Sequence, residues 1–352
     1  MTSNARELAQ IPSTPSGRKN IVYNGAMTVA QRGTSETSAS GYGSVDRWYI
    51  NEVSDGAVTA SQSTEAPDGF ANSLKIDVTT ADTSLASGQN LNINQRLEGQ
   101  DLQHLKKGTS GALPVTISFW VRSNKTGTGV LEVKDNDNTR TINKSFTIDV
   151  ADTWEKKEIT FEGDTTGTLD NDNALSVLLV WWLAAGSTYT SGTLATSWEA
   201  QNNANRAVGV FNIMDSTSNE FYITGVQLEV GSVATEFEHR SFGEELALCQ
   251  RYFFQITGGQ FNRANPTGYA DTTSRAFYAQ TTPVAMRATP TITENNLTIN
   301  GTAVTSISNV NKLSENVIQY VLNYGGSHTV GSVQQSYWSG TSDNFLRFDS
   351  EL

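Results

Sequence analysis

Residues 226–240 read VQLEVGSVATEFEHR, and residues 241–254 continue SFGEELALCQRYFF. The first five letters form a strand-like segment, and Gly231 then supplies a tight turn. Residues 243–254 have helical spacing, because Leu246, Cys249 and Phe253 fall on one stripe, with Gln250 at its edge. The stretch therefore predicts the closing strand of a β-sandwich, a turn, and one short helix that leads into a second β region.

Segments that alternate between apolar and polar residues recur upstream of this stretch. The clearest is residues 115–123, VTISFWVRS, in which Val115, Ile117, Phe119 and Val121 point one way and Thr116, Ser118, Trp120 and Arg122 point the other. Residues 74–78 and 91–97 repeat the pattern. Residues 175–183 are apolar on both faces from position 177 onward, so we place this strand in the centre of a sheet.

Many short strands with turn residues between them favour an all-β chain over any α/β fold. We predict a jelly-roll-like β-sandwich, then a short helix and a smaller C-terminal β domain. Pro283 and Pro290 bracket a predicted edge strand in the second of these. The expected boundaries are an N-terminal attachment arm at 1–19, the sandwich at 20–240, a helical linker at 241–254 and the C-terminal domain at 255–352.

The composition and net charge limit the classes of molecule that this protein is expected to bind. The chain has 352 residues, of which 37% are hydrophobic and 17% charged, and its formal net charge is −12. Nucleic-acid binding needs clustered Lys and Arg, so we expect no nucleic-acid partner. The charge also disfavours an anionic membrane surface. No apolar run reaches the ~20 residues of a membrane span, and residues 1–20 lack the apolar core of a signal peptide, so we expect no membrane insertion.

Cys249 is the only cysteine, so no disulfide can form within one chain. This favours assembly in a reducing cytoplasm. With His239 as its base, Cys249 would be a candidate nucleophile, but its place on the apolar stripe predicts a buried, inert thiol.

Motifs of known catalytic or cofactor sites are absent from the sequence. It contains no HExxH, P-loop, GxSxG or GxGxxG pattern, and its three histidines stand apart. A glycosidase would need two carboxylates ~5–10 Å apart in a cleft. The abundant acids, such as Glu132, Asp135 and Glu158, are expected mostly on exposed strand faces or turns. We therefore expect no catalytic residues and no cofactor, with a polysaccharide depolymerase as the remaining enzymatic alternative.

Two acidic loops, KDNDN at 134–138 and LDNDN at 169–173, offer oxygen ligands of the kind that calcium prefers. Neither has the glycine and terminal glutamate of an EF-hand loop. Asn and Asp are also the residues that hairpin turns require, so we interpret both loops as turns and expect no metal site.

Aromatic side chains are the candidate ligand contacts, because a sugar ring stacks its apolar face on an indole or a phenol. Trp120 and Trp182 each stand next to an inward-facing residue of their strand, so one residue of each neighbouring pair should face outward. Tyr189 and Trp198 lie in a Gly-, Ser- and Thr-rich excursion at 185–206, where we expect both to be exposed. The alternative for any of these residues is core or subunit-interface packing. The predicted ligand-binding residues are Trp120, Trp182, Tyr189 and Trp198.

Several blocks of this sequence resemble a family of tailed-bacteriophage virion proteins. The opening block is GRKNIVYNGAMTVAQRG at 17–33 with GYGSVDRW at 41–48, and STSNEFYITGVQLEVG at 216–231 is similar to the family's sandwich-closing block. Further similar elements are LALCQRY at 246–252, PVAMRATP at 283–290 and the terminal DSEL at 349–352.

The resemblance implies a tail-fibre or minor structural protein with a sandwich similar to carbohydrate-binding modules. Together with the polar leader and the β-rich acidic body, it leads us to expect a non-enzymatic homotrimer in the virion, attached to other virion proteins through its N-terminal arm and contacting host surface polysaccharide. A head-decorating fibre or a tail adaptor without glycan binding is the alternative. No glycan-binding residues carry over from the family.

Overall fold

The computed structural model of the chain describes residues 18–259 and 262–352. These residues form two compact units. The first consists of residues up to 28, residues 36–41 and Tyr49–Arg240. The second combines Ser241–Leu352 with Val29–Ser35 and Tyr42–Trp48, two segments that the sequence placed in the sandwich. Residues 1–17 of the predicted attachment arm lie outside the described residues.

The first unit is a sandwich of two six-stranded antiparallel sheets. The first sheet has the order β1-β3-β4-β12-β6-β9, and the second has the order β11-β8-β7-β10-β5-β2. The predicted all-β, jelly-roll-like fold is confirmed. The strands are β1 (Ser35–Glu36), β2 (Tyr49–Val53), β3 (Ala57–Ser63), β4 (Ser73–Thr80), β5 (Asn90–Glu98), β6 (Val115–Ser123), β7 (Gly127–Asp135), β8 (Arg140–Ile148), β9 (Glu155–Phe161), β10 (Leu175–Ala185), β11 (Glu199–Ala200) and β12 (Glu220–Val230).

The core of the sandwich lies between the inner faces of the two sheets. The predicted alternation along β6 is correct: Ile117, Phe119 and Val121 are fully buried, whereas Trp120 is partly exposed. Phe119 meets Phe146 and Trp181 from the second sheet edge to face, with ring centres 5.3 and 5.7 Å apart. These edge-to-face contacts help to hold the two sheets of the sandwich together.

Strand β10 occupies the centre of the second sheet, between β7 and β5, as its sequence predicts. Its apolar outer residues are covered by the excursion that follows the strand. This excursion holds a one-turn helix, Ser187–Thr190, and the 3-10 turn Asn203–Asn205. Val130, Val180, Trp182 and Ala207 form a small separate core there. Further 3-10 turns are Gly99–Asp101, Gln103–Leu105 and Ile213–Asp215.

The predicted linker helix spans Phe242–Gln250. Ser241 begins it with a capping box, in which its hydroxyl accepts from the Glu244 amide and the Glu244 carboxylate accepts from the Ser241 amide. The helix ends four residues earlier than predicted, because Phe253 starts a strand that pairs with Asp349. Cys249 is buried, and burial raises the pKa of its thiol well above the usual value. No helix in the described part of the chain has the length and hydropathy that a membrane span requires.

The second unit contains a three-stranded sheet, ordered β13-β21-β16, and a closed six-stranded barrel, ordered β14-β15-β19-β18-β17-β20. The predicted edge strand at 283–290 is wrong: this segment is a loop whose Met286 is fully buried. The strands are β13 (Phe253–Thr257), β14 (Arg263–Thr272), β15 (Arg275–Thr281), β16 (Thr291–Asn295), β17 (Leu297–Ile299), β18 (Thr302–Ser314), β19 (Val317–Tyr324), β20 (Val333–Trp338) and β21 (Phe345–Asp349).

Candidate functional site

A row of amide side chains crosses the outer face of the second sheet. In β5, Leu91 and Ile93 point into the core, so the alternate residues Asn90, Asn92 and Asn94 point to the outer face, where only 3–4% of each is exposed. Asn51 joins them from the neighbouring strand β2, where it pairs with Asn92. We call these four asparagines the amide row.

Hydrogen bonds link the members of the amide row in one direction. Asn51 and Asn92 both donate to Oδ1 of Asn90 at 2.8 Å, and Asn94 donates to Oδ1 of Asn92 at 3.1 Å. Arg96 ends the row by donating from Nε to Oδ1 of Asn94 at 3.3 Å. Asn51, Asn92 and Asn94 each use one N–H in the row, and Asn90 donates instead to the Gly88 carbonyl at 3.5 Å. All four amides are therefore held in fixed orientations.

Tyr49 lies beside the amide row at the end occupied by Arg96. It pairs with Asn94 across the β2–β5 ladder, and the Arg96 guanidinium carbon is 3.9 Å from the centre of its ring. Both side chains are partly exposed. This end of the face thus combines an aromatic surface, a cation and fixed amides.

A buried carboxylate organises the neighbouring part of the face. Glu132 of β7 is fully buried and accepts four hydrogen bonds: from Trp182 at 2.9 Å, from Thr141 at 2.8 Å, and from Arg206 at 2.9 and 3.0 Å. The fork of Arg206 is bidentate, the geometry in which arginine binds a carboxylate most strongly. The excursion is therefore fastened to the sheet by a charge pair as well as by apolar contacts.

Aromatic rings complete this fastening. The ring centres of Trp182 and Tyr189 are 5.1 Å apart, and the Arg206 guanidinium lies 5.0 Å from the Trp182 ring and 5.8 Å from the Tyr189 ring. Asn143, which faces Glu132 across the β7–β8 pair, is fully buried, and within the described part of the chain its side-chain amide has no hydrogen-bond partner.

The four predicted ligand-binding residues are not all brought together. Trp182 and Tyr189 are in contact on the outer face of the second sheet, although Trp182 is buried and Tyr189 half-buried rather than exposed. Trp120 lies on the outer face of the first sheet, opposite Thr224 and Lys156. Trp198 is also half-buried. Its Nε1 donates to the Glu162 carbonyl at 2.7 Å, and its ring lies 5.0 Å from the Lys107 ammonium.

The expected exposure of the acidic residues is wrong for Glu132 and Asp135, both of which are fully buried. Asp135, from the first acidic loop, accepts a hydrogen bond from the Lys107 ammonium. Two backbone carbonyls and Asp164 complete the surroundings of that ammonium. The described residues contain no group of three or more His, Cys, Asp or Glu side chains placed to hold a metal ion.

Four of the sequence blocks compared above with virion proteins, at 17–33, 41–48, 283–290 and 349–352, contribute residues to the second unit. Gln31 donates to Asp46 and to the Phe253 carbonyl, and Arg32 donates to Asp349 at 2.9 Å. Arg287, from the Pro-bracketed segment, donates to the backbone carbonyls of residues 350 and 351 at 2.7 and 3.1 Å. These blocks therefore meet around the chain terminus, and we call the assembly the terminal cluster.

The amide row and the basic residues next to it were not predicted from the sequence. The signal was present, because the letters NLNIN at 90–94 place an asparagine on one face at every second position. The contribution of Asn51, Lys134 and Arg206 depends on strand register and on the path of the excursion, which periodicity alone does not give.

No protein-family model matches the sequence, and neither does any curated protein. Among solved structures, the chain is similar to the enzymatically active domain of tailspike protein 4 from bacteriophage CBA120, with TM-score 0.33 and 12% identity over 60% of this chain. It spans only 21% of that tailspike chain.

Two further similarities are to smaller proteins. A putative sugar binding protein from Bacteroides thetaiotaomicron gives TM-score 0.34 and 16% identity, covering 60% of this chain and 100% of that one. The family 11 carbohydrate-binding module from Clostridium thermocellum, in complex with a β-1,3-1,4-mixed-linked tetrasaccharide, gives 0.29 and 14%, covering 58% and 98%. TM-scores this low carry no information about the function of this chain.

Proposed function

We propose that this chain is a non-enzymatic carbohydrate-binding protein, and that the outer face of the second sheet is its saccharide site. The observation that carries the proposal is the amide row with Arg96 and Tyr49 at its end. Sugar hydroxyls donate and accept at once, as primary amides do, so a fixed series of amides suits a saccharide chain. An adjacent aromatic ring offers the apolar surface on which pyranose C–H groups pack.

The test is a glycan microarray probed with the purified full chain, followed by calorimetric titration of the saccharide that gives the strongest signal. Replacing Asn92 by Ala removes the middle of the amide row and should weaken binding about tenfold or more. Asn311→Ala is the matched control, because it deletes the same group from an exposed residue of β18 in the second unit. Absence of binding to any glycan, or equal affinity of the two variants, contradicts the proposal.

We also propose that the protein is a homotrimeric component of a tailed-phage particle, assembled in the host cytoplasm and attached through its N-terminal arm as a tail fibre or receptor-binding protein. The sequence blocks that meet in the terminal cluster support this proposal. Threefold repetition would add avidity to a weak saccharide site. Light scattering should give three times the mass of one chain, and labelled antibody should decorate intact particles. A monomer at micromolar concentration contradicts the trimer.

The absence of enzymatic activity belongs to the same proposal. We expect no release of reducing ends when the protein is incubated with a polysaccharide that it binds. Release that is lost on replacing a single Asp or Glu in a variant of unchanged fold would favour a depolymerase instead.

A head-decorating fibre or tail adaptor without glycan binding is the second candidate, and an apolar surface of the barrel favours it. Tyr269 and Val333 face each other across the β14–β20 pair and are 54% and 66% exposed, and Val330 nearby is 54% exposed. Exposed apolar side chains of this kind are typical of protein interfaces. If Val333→Lys abolishes incorporation into particles while glycan binding is absent from the unchanged chain, this second candidate is supported over the first.

A further inference from the structure

Lys134 is a half-buried cation on the saccharide-binding face proposed above. It lies on β7 opposite Leu178 of β10, which in turn lies opposite Arg96 of β5. Adjacent strands are ~4.8 Å apart, so the Cα atoms of Lys134 and Arg96 are separated by roughly 10 Å. The Lys134 ammonium forms neither a hydrogen bond nor an ion pair within the described ranges 18–259 and 262–352, and the Glu132 carboxylate on the same strand is taken up by Arg206, Trp182 and Thr141.

Two arginines held in place by their neighbours flank Lys134. Arg96 is stacked on Tyr49 and bonded to Asn94, and Arg206 is clamped on Glu132 above the Trp182 ring. Burial lowers the pKa of Lys134, and the positive charges of Arg206 and Arg96 lower it further. A chain with a net charge of −12 thus concentrates three cations on one face, and one of them lacks a counter-charge.

We propose that this basic cluster, Arg96, Lys134 and Arg206, binds the carboxylate of an acidic saccharide, so that the ligand class is a uronate- or sialate-containing glycan. This inference rests on the proposed carbohydrate-binding function. The carboxylate would supply the counter-charge that Lys134 lacks, while the amide row binds the hydroxyls of the same or the adjacent sugar ring. Neutral glycans would leave Lys134 without a counter-charge and bind more weakly.

The test uses an array printed with uronic-acid, sialic-acid and neutral oligosaccharides, followed by calorimetry with the strongest acidic binder and with its carboxyl-reduced form. Carboxyl reduction converts the carboxylate into a neutral hydroxymethyl group and leaves the rest of the sugar unchanged. Lys134→Gln is the test variant. Lys156→Gln is the control, because it removes the same charge from the first sheet, where Lys156 pairs with Glu158.

We expect the strongest signals on acidic glycans and a loss of roughly tenfold or more on carboxyl reduction or in Lys134→Gln, with Lys156→Gln unchanged. Binding should also weaken as NaCl rises from about 0.05 to 0.5 M. Binding to neutral glycans alone, or equal affinity of Lys134→Gln and the control, overturns this inference and leaves the saccharide site standing. Absence of binding to every glycan overturns both.

Discussion

Arg47 donates a hydrogen bond to the Glu351 carboxylate, although 304 positions separate the two residues along the chain. The side chain of Arg47 is fully buried and that of Glu351 is 6% exposed. The Arg47 guanidinium also lies 3.4 Å from the centre of the Tyr252 ring. This pair joins an early segment of the chain, Tyr42–Trp48, to the C-terminus within the second unit.

Removing one member of this pair should destabilise the second unit strongly. In Glu351→Gln or Arg47→Met the remaining polar group stays buried without its full partner, so we expect the free energy of unfolding to fall by roughly 3–5 kcal/mol. The measurement is urea denaturation monitored by tryptophan fluorescence. Arg275→Met is the control: its pair with Asp271 is more exposed, so its loss should change the free energy of unfolding far less. If Arg275→Met lowered the free energy of unfolding as much as Glu351→Gln or Arg47→Met does, a structural role for the terminal cluster would be contradicted.

The stability of the second unit should depend on pH through Asp46. Burial raises the pKa of this carboxyl to about 6, although hydrogen bonds from Gln31 and the charge of Arg32 act in the opposite direction. Because the folded-state pKa is above the unfolded one, Asp46 contributes stability at low pH that is lost as the pH rises through 6. Relative to Asp46→Asn, the wild-type chain should lose roughly 2 kcal/mol between pH 4 and pH 7.5. Parallel pH profiles of the two proteins would show that Asp46 does not titrate in this range.

The Lys107 ammonium in the first unit occupies a cage of oxygen atoms. Besides Asp135, its neighbours are Asp164 at 3.1 Å and the backbone carbonyls of Thr166 and Gly167 at 3.1 and 2.9 Å. Burial alone would raise the pKa of Asp164, but hydrogen bonds from Arg140, the Thr166 amide and Lys107 outweigh it and hold that pKa below the usual value. The ammonium thus takes the place that a bound cation could fill.

Lys107→Ala should destabilise the sandwich by about 3 kcal/mol, because Asp135 keeps its buried charge and loses its cation. The emptied cage would present two carboxylates and two carbonyls, a ligand set that suits calcium. Millimolar calcium should therefore raise the melting temperature of Lys107→Ala and leave the wild-type chain unchanged. Lys107→Met, which fills the cage with an apolar chain, should be destabilised without any rescue; rescue of both variants would rule out binding in the cage.

The thiol of Cys249 should be inert in the folded protein. It is fully buried in the linker helix, and burial raises its pKa, so thiolate is scarce at neutral pH. Labelling with a chromogenic disulfide reagent should be complete only after denaturation. Rapid labelling of the native chain would mean that the helix opens readily from the second unit.

The sandwich was predictable from sequence because its strands alternate cleanly, and β10 was placed centrally because it is apolar on both faces. The cover on its outer face was not predictable, since Arg206 and Glu132 are 74 positions apart and meet only in the folded chain. The barrel was missed for a different reason. β18 is mostly exposed and polar, and β14 contains Pro266 and Gly268, two residue types that a sequence pattern assigns to a turn.

Gly268 illustrates why a turn-like residue belongs in that strand. It is buried in β14, and a Cβ atom at this position would come within 2.4 Å of the Tyr278 ring. The strand therefore accepts a glycine for close packing, whereas a sequence pattern interprets the same residue as a break. The letters NLNIN at 90–94 could have indicated the asparagines of β5, but only strand register brings Asn51 and Lys134 beside them.

A crystal structure of the full chain with the saccharide selected by the array tests the central claim most directly. The account predicts density on the outer face of the second sheet, with hydroxyls bonded to Asn92 and Asn94 and a carboxylate within reach of Lys134. Density on the outer face of the first sheet around Trp120, or on the barrel, would contradict it.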